Sequence, residues 1–262
     1  MDVAQQRIQR WVQRERMNSW LNLSDLGLTK LPELPPTVRR LNISCNDIAD
    51  LSGLPRGLQK LHCNVNNALL QFPADMPPHL IFVSCMSCHY LQSLDTLPDS
   101  VKYLDATHCE TLCEILKFPR ELRTCNLYNV YSLSYIREFP PKLLVLSISE
   151  TSTYELPEFP TSLIALDFTF VKFRMQTVFP PKLQYLAILG YDTTAYVTHN
   201  SYILNLLPST LLFLDLRCRD ACWMPAYIKT RFPQLEYYKC GDHTQRIGDE
   251  PTNIYKYLYP RV

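Results

Sequence analysis

The chain has 262 residues and is almost neutral, with 26 Lys+Arg against 25 Asp+Glu, so no global field draws it to nucleic acid or to an anionic membrane. Apolar residues make up 47% of it, which suffices for a packed core and is too high for a disordered chain. The N-terminus lacks the apolar segment of a secretory signal and no run of apolar residues is long enough to span a bilayer, so the 10 cysteines are expected to be free thiols in a reducing compartment. Asn22-Leu23-Ser24 and Asn42-Ile43-Ser44 match a glycosylation pattern that should be silent there.

Residues 1–20 are expected to form a capping helix. Ala4, Ile8, Trp11 and Val12 fall on one helical face, and Arg7, Arg10, Arg14 and Arg16 crowd the remainder, in solvent. From residue 21 the chain repeats. A unit of the form (Leu/Phe/Met)-Pro-x-x-(Leu/Val)-x-x-Leu opens at Leu34, Leu54, Met76, Leu97, Phe118, Phe139, Phe159, Phe179 and Leu207. The gaps are 20, 22, 21, 21, 21, 20, 20 and 28 residues. A degenerate copy opens at Phe232-Pro233.

Within a unit the pattern L-x-x-L-x-L-x-x-N-x-L is cleanest at Val38, Leu41, Ile43, Asn46 and Ile48. That is the pattern of a leucine-rich repeat. Apolar residues two apart mark a short strand with one buried face. The proline turn then keeps the return limb out of helix. The fold expected over residues 21–242 is therefore an α/β solenoid of the leucine-rich-repeat type. It should have about ten short parallel strands on the concave face and a mostly extended, polyproline-like convex side. Residues 243–262 should close it as a C-terminal cap, with Pro251, Ile254, Tyr257 and Leu258 in a short helix.

The segment Cys85-Met86-Ser87-Cys88-His89 has the spacing that tethers a c-type haem. The repeat register gives it another meaning. Cys85 takes the inward strand position of Ile43, and Cys88 takes the turn position of Asn46 and Asn66, so both are expected to be packing residues. No cofactor or metal is expected. The turn asparagine decays along the chain, through Cys88, Cys109, Val130 and Thr151 to Val171 and Tyr191. The middle and C-terminal coils are therefore expected to be less regular than the first two.

The stretch from Arg14 to Asn66, with its Leu-Gly-Leu-Thr-Lys-Leu-Pro-Glu-Leu-Pro-Pro turn and its Asn46 and Asn66, resembles the type III secreted leucine-rich-repeat effectors of bacteria, the YopM and IpaH group. The resemblance covers roughly residues 1–240 and fades after Asn67. It implies an interaction module acting in a host cytoplasm. Catalytic members carry a further ubiquitin-ligase domain with a Cys-x-Asp site. Cys218-Arg219-Asp220 and Cys240-Gly241-Asp242 reproduce those letters only at repeat strands, and no such domain is expected, which leaves the substrate-recognition part of a ubiquitin-ligase-type effector as one alternative. The Tyr-, Phe- and Cys-rich later coils are also similar to leucine-rich-repeat proteins of large DNA viruses, so a virion or structural role is a further alternative.

Residues alternating with the inward leucines should face the concave surface. Exposed aromatic and charged groups there suit a protein interface. The candidate partner-binding residues are Arg40, Lys60, Phe82, Tyr103, Asp105, Tyr128, Tyr185, Phe213, Asp215, Arg217 and Tyr237. No catalytic constellation emerges, and His62 and Asp105 fall two strands apart. A non-enzymatic protein-binding module is the expectation, with no nucleic acid and no membrane span. An insertion around residues 191–206, including His199, should form a loop.

Overall fold

A computed structural model describes residues 2–14, 19–153, 155–169, 178–188, 205–216 and 225–240. Helix α1 (Val3–Gln13) leads into the strands β1 (Leu21–Asn22), β2 (Arg40–Asn42), β3 (Lys60–His62), β4 (Phe82–Ser84) and β5 (Tyr103–Asp105). These are followed by β6 (Glu114–Ile115), β7 (Thr124–Asn126), β8 (Tyr135–Ile136), β9 (Val145–Ser147) and β10 (Ala165–Asp167). The last elements are β11 (Tyr185–Ile188), β12 (Phe213–Leu216), α2 (Pro225–Arg231) and β13 (Tyr237–Cys240). Among the described residues, all the strands but β6 and β8 join one 11-stranded parallel sheet, ordered along the chain. This is a solenoid: each coil adds one strand beside the last.

The proline turn sets the winding. The Pro35 carbonyl accepts from the Val38 amide at 3.1 Å, and Pro36 occupies the second turn position, where its fixed φ is already correct. The same bond recurs from Leu58 to Pro55, Leu80 to Pro77, Val101 to Pro98, Leu122 to Pro119, Leu143 to Pro140, Leu163 to Pro160 and Leu183 to Pro180. The turn delivers an inward residue to each strand. Leu41, Leu61, Val83, Leu104, Cys125, Leu146, Leu166, Leu186 and Leu214 stand in register across the sheet. All of them are buried in one continuous core. Because every coil lends one wall to the next, that core exists only for the stack.

Past β1 to β5, β7 and β9 the chain turns through a residue of positive φ: Asp25, Cys45, Val65, Ser87, His108, Asn129 and Glu150, all between 54 and 59°. None is glycine. Each donates its amide to the following coil, as Val65 does to the Met86 carbonyl at 2.8 Å. The inter-coil ladder thus continues through the turn. Sequence reading missed this feature, since neither Val nor Glu signals a left-handed residue.

Three expectations are corrected. The central coils are as regular as the first two, with the same register and the same left-handed residue as far as Glu150, because backbone bonds between coils carry the geometry. The return limbs are mostly extended, but β6 pairs β8, and bridges join Gln71 to Ser93 and Tyr135 to Glu155. There Ile115 and Ile136 are buried like sheet residues. On α1, Ala4 and Ile8 enter the core and Trp11 packs against it, whereas Val12 is 50% exposed. Arg7 does not sit free in solvent: it donates to the carbonyls of Ser24 (3.0 Å) and Asn22 (3.4 Å), covering the edge of β1. No helix among the described residues is long and apolar enough to cross a membrane.

Candidate functional site

The turn position is where cysteine takes over from asparagine. Asn46 accepts from the amides of Leu26 (3.1 Å) and Leu28 (3.0 Å) and donates to the carbonyls of Leu23 (3.0 Å) and Ile43 (2.8 Å). Asn66 likewise donates to Ile43 and Cys63 and accepts from Ile48. One coil on, the Cys88 thiol donates to the Cys63 carbonyl at 3.2 Å, and the Cys109 thiol donates to the Cys85 carbonyl at 3.2 Å. Thr151 donates instead within its own coil, to the Ile148 carbonyl at 2.9 Å. Each substitute keeps a donor and puts a weaker or differently directed acceptor in place of the amide oxygen. Cys85 lies in the core with its thiol toward the Asp105 carbonyl. Burial raises the thiols of Cys63 and Cys125 above the ordinary thiol value and pushes Cys88 to about 12. Among the described residues no group of three His, Cys, Asp or Glu is disposed to hold a metal ion.

The outward columns of the sheet hold most of the candidate partner residues. In register lie Arg40, Lys60, Phe82 and Tyr103 on β2 to β5, then Tyr185, Phe213 and Tyr237 on β11 to β13. Arg40, Phe82, Tyr103 and Tyr185 are half-buried and open to a partner. Tyr128 lies one turn beyond β7, 38% exposed, with its hydroxyl on Glu150 at 3.0 Å and its ring edge-on to His108.

The expected exposure of five others is corrected. Phe213 is sandwiched between Tyr185 and Tyr237, with ring centroids 4.1 and 4.3 Å apart and planes nearly parallel. Only 2% of Tyr237 reaches solvent. Strands so close together shield each other's side chains, so these rings stabilise the ladder. Lys60 is 8% exposed between Arg40 and Phe82. Asp215 is buried, and so is Asp105, whose carboxylate accepts from the Thr107 amide (3.2 Å) and hydroxyl (2.6 Å). That two-residue turn recurs from Asn42 to Ser44, Asn126 to Tyr128 and Asp167 to Thr169, which explains why this column is rich in Asn and Asp. Arg217, Cys218, Cys222, His199, most of the insertion and the C-terminal cap lie outside the described residues.

Two features escaped the sequence. His62 sits in a run of rings, 4.7 Å from Trp20 and 5.1 Å from Phe82. Burial, and then the Lys60 charge, lowers its proton affinity. Trp20 also borders a cleft of about 260 Å³ between α1 and β1, lined by Arg7, Arg10, Trp11 and Arg14. Beyond the strands, Tyr90 and Tyr131 with His89 and Glu110 line a shallower hollow. There His89 pairs with Glu110 at 3.1 Å, and the Tyr131 hydroxyl donates to the same carboxylate at 2.9 Å.

Coils mostly of 20 to 22 residues, each adding a strand with a buried apolar residue to one parallel sheet, with asparagine at the turns of the first ones, occur together in one solenoid class. This chain has the leucine-rich-repeat fold. It is similar to YopM from Yersinia enterocolitica WA-314, with 28% identity over 91% of this chain and 49% of that one, and a TM-score of 0.52. The leucine-rich-repeat domain of a Shigella effector is 21% identical over 81% of this chain and 88% of that one, with a TM-score of 0.43. CroV588, a circular leucine-rich-repeat structure, is 16% identical over 82% and 41%, with a TM-score of 0.37. The chain spans about half the length of that Yersinia enterocolitica YopM chain. No protein-family model matches it, and no curated protein matches it.

Proposed function

We propose that this leucine-rich-repeat protein is a non-enzymatic binding module that grips a partner protein along the concave face of its sheet. The observation that carries the reading is the row of half-buried Arg40, Phe82, Tyr103 and Tyr185 on a rigid parallel sheet. Tyrosine, phenylalanine and arginine presented on a scaffold that needs no ordering on binding are the residues that dominate protein interfaces. Eleven strands at about 4.8 Å make a face close to 50 Å long, ample for an interface of about 1,600 Å². Its similarity to YopM supports an effector role in a host cytoplasm.

A photo-crosslinking phenylalanine analogue at Tyr103 tests this, with the same analogue at exposed Leu116 on the return limb as the comparison. A discrete adduct from host lysate at position 103 and none at 116 is the expected result. Equal labelling at both, or labelling at 116 alone, would move the interface off the sheet.

A further inference from the structure

The outward face of the sheet is electrically lopsided. Its first coils carry cations: Arg40 on β2 stands in register with Lys60 on β3, and His62 follows two residues later. Among the described residues, carboxylates enter that face only from β5 onward, as Asp105, Asp167 and Asp215, the last of them opposite Lys239 on β13. Like charges directly opposite on neighbouring strands repel, and Lys60 is more than nine-tenths buried. Neither cation has an ion-pair partner among the described residues, where the ion pairs join His89, Lys117, Arg120 and Lys142 to carboxylates elsewhere. Desolvation and the Arg40 charge lower the proton affinity of Lys60, as expected of a cation with nothing to neutralise it. An uncompensated pair of this kind breaks the local rules of a stable sheet, and such violations collect where proteins bind something.

The surroundings define what would relieve it. The run from Trp20 through His62 to Phe82 lies beside the pair, and Trp20 joins it to the cleft that Arg10 and Arg14 border with exposed side chains. We propose that this end of the concave face, from the cleft beside α1 across Arg40 and Lys60 to Phe82, docks an acidic stretch of the partner polypeptide. Strands β1 to β4 span about 15 Å, the reach of four or five extended residues. A nucleic acid is the poorer fit. A uniform polyanion continuing along the sheet would run onto Asp105, Asp167 and Asp215, whereas a polypeptide can change charge along its length.

The proposal rests on the concave-face reading above and is tested separately from it. The full chain is titrated at low salt, by fluorescence anisotropy, with a fluorescein-labelled peptide of about ten Glu, Asp and Ala residues carrying one Tyr. A Lys/Arg counterpart and an oligouridylate serve as rival probes. The acidic peptide should bind and weaken with added salt. The Arg40→Gln/Lys60→Met double variant should lose about tenfold in affinity, with a melting temperature unchanged or raised because a repulsive pair has gone. Unaltered affinity in the double variant, equal or tighter binding of either rival probe, or a lowered melting temperature would overturn it. If crosslinking at Tyr103 persists while the peptide binds the double variant as tightly as the unaltered chain, the acidic docking site falls and the concave-face reading stands.

Discussion

The first full coils and the central ones reach the same backbone by different side chains. Around Asn46 and Asn66 a single amide ties several main-chain groups together, and the openings are Leu34 and Leu54. From Cys88 onward the turn is held by a thiol, by nothing polar at Val130, or by the Thr151 hydroxyl, and the openings become Phe118, Phe139, Phe159 and Phe179. The first three stack, with centroids 6.3 Å apart between Phe118 and Phe139 and 5.4 Å between Phe139 and Phe159, and Phe168 bridges Phe159 to Phe179. The backbone ladder between coils is common to both regions. Side-chain amides reinforce that geometry without creating it, so their loss can be offset by aromatic packing elsewhere in the coil.

The sharpest contrast is chemical. Raising Cys88 from the ordinary 9.0 to about 12 leaves roughly a thousandfold less thiolate at neutral pH. Iodoacetamide followed by peptide mass spectrometry should therefore label Cys45 and Cys113, which are exposed, before Cys63, Cys85, Cys88, Cys109 and Cys125, which are buried. Fast labelling of Cys88 in the folded chain would break the picture of a thiol sealed between coils. The same shift has a pH signature. Above about pH 9 the unfolded chain releases thiol protons that the folded chain keeps, so stability falls as pH rises. A Cys88→Asn variant should lessen that fall in urea melts.

Phe139→Ala removes the middle ring of the spine and should destabilise by about 3 kcal/mol, measured by urea unfolding. A loss no larger than that of an exposed-site alanine would mean the rings fill space without mutual support. Asn46→Ala strands the amides of Leu26 and Leu28 and the carbonyls of Leu23 and Ile43, for about 2 kcal/mol. Cys88→Ala should cost less, since a thiol is a weaker donor and a weaker acceptor than a side-chain amide. If the two truncations were equal, the amide's acceptor role at Asn46 would be dispensable. The smallest effect is a gain. Val65 is a branched residue at φ 55° with its side chain 39% exposed, and Val65→Asn should stabilise by about 1 kcal/mol, seen as a higher melting temperature.

How much of the candidate site was readable differs by residue. The column positions of Arg40, Lys60, Phe82, Tyr103 and Tyr185 follow from the repeat alone, because a strand's period of two leaves no choice of face. The burial of Phe213 and Tyr237 does not, since it depends on rings meeting across strands whose spacing in sequence is 24 residues. The role of Asp105 as a turn acceptor was hidden for another reason: a carboxylate two residues before a threonine is uninformative until the strand is known to end there.

The amino-acid sequence by itself determined the winding. Prolines in register place a turn, the turn places a strand, and inward leucines make neighbouring coils cohere, all of which are short-range consequences of fixed φ and period-two burial. Only the tertiary structure decided which outward groups meet solvent, which thiols donate to which carbonyls, and that two cations face each other unpaired. Those outcomes depend on distances between separate coils, and distances of that kind are set by the stacking of the whole array.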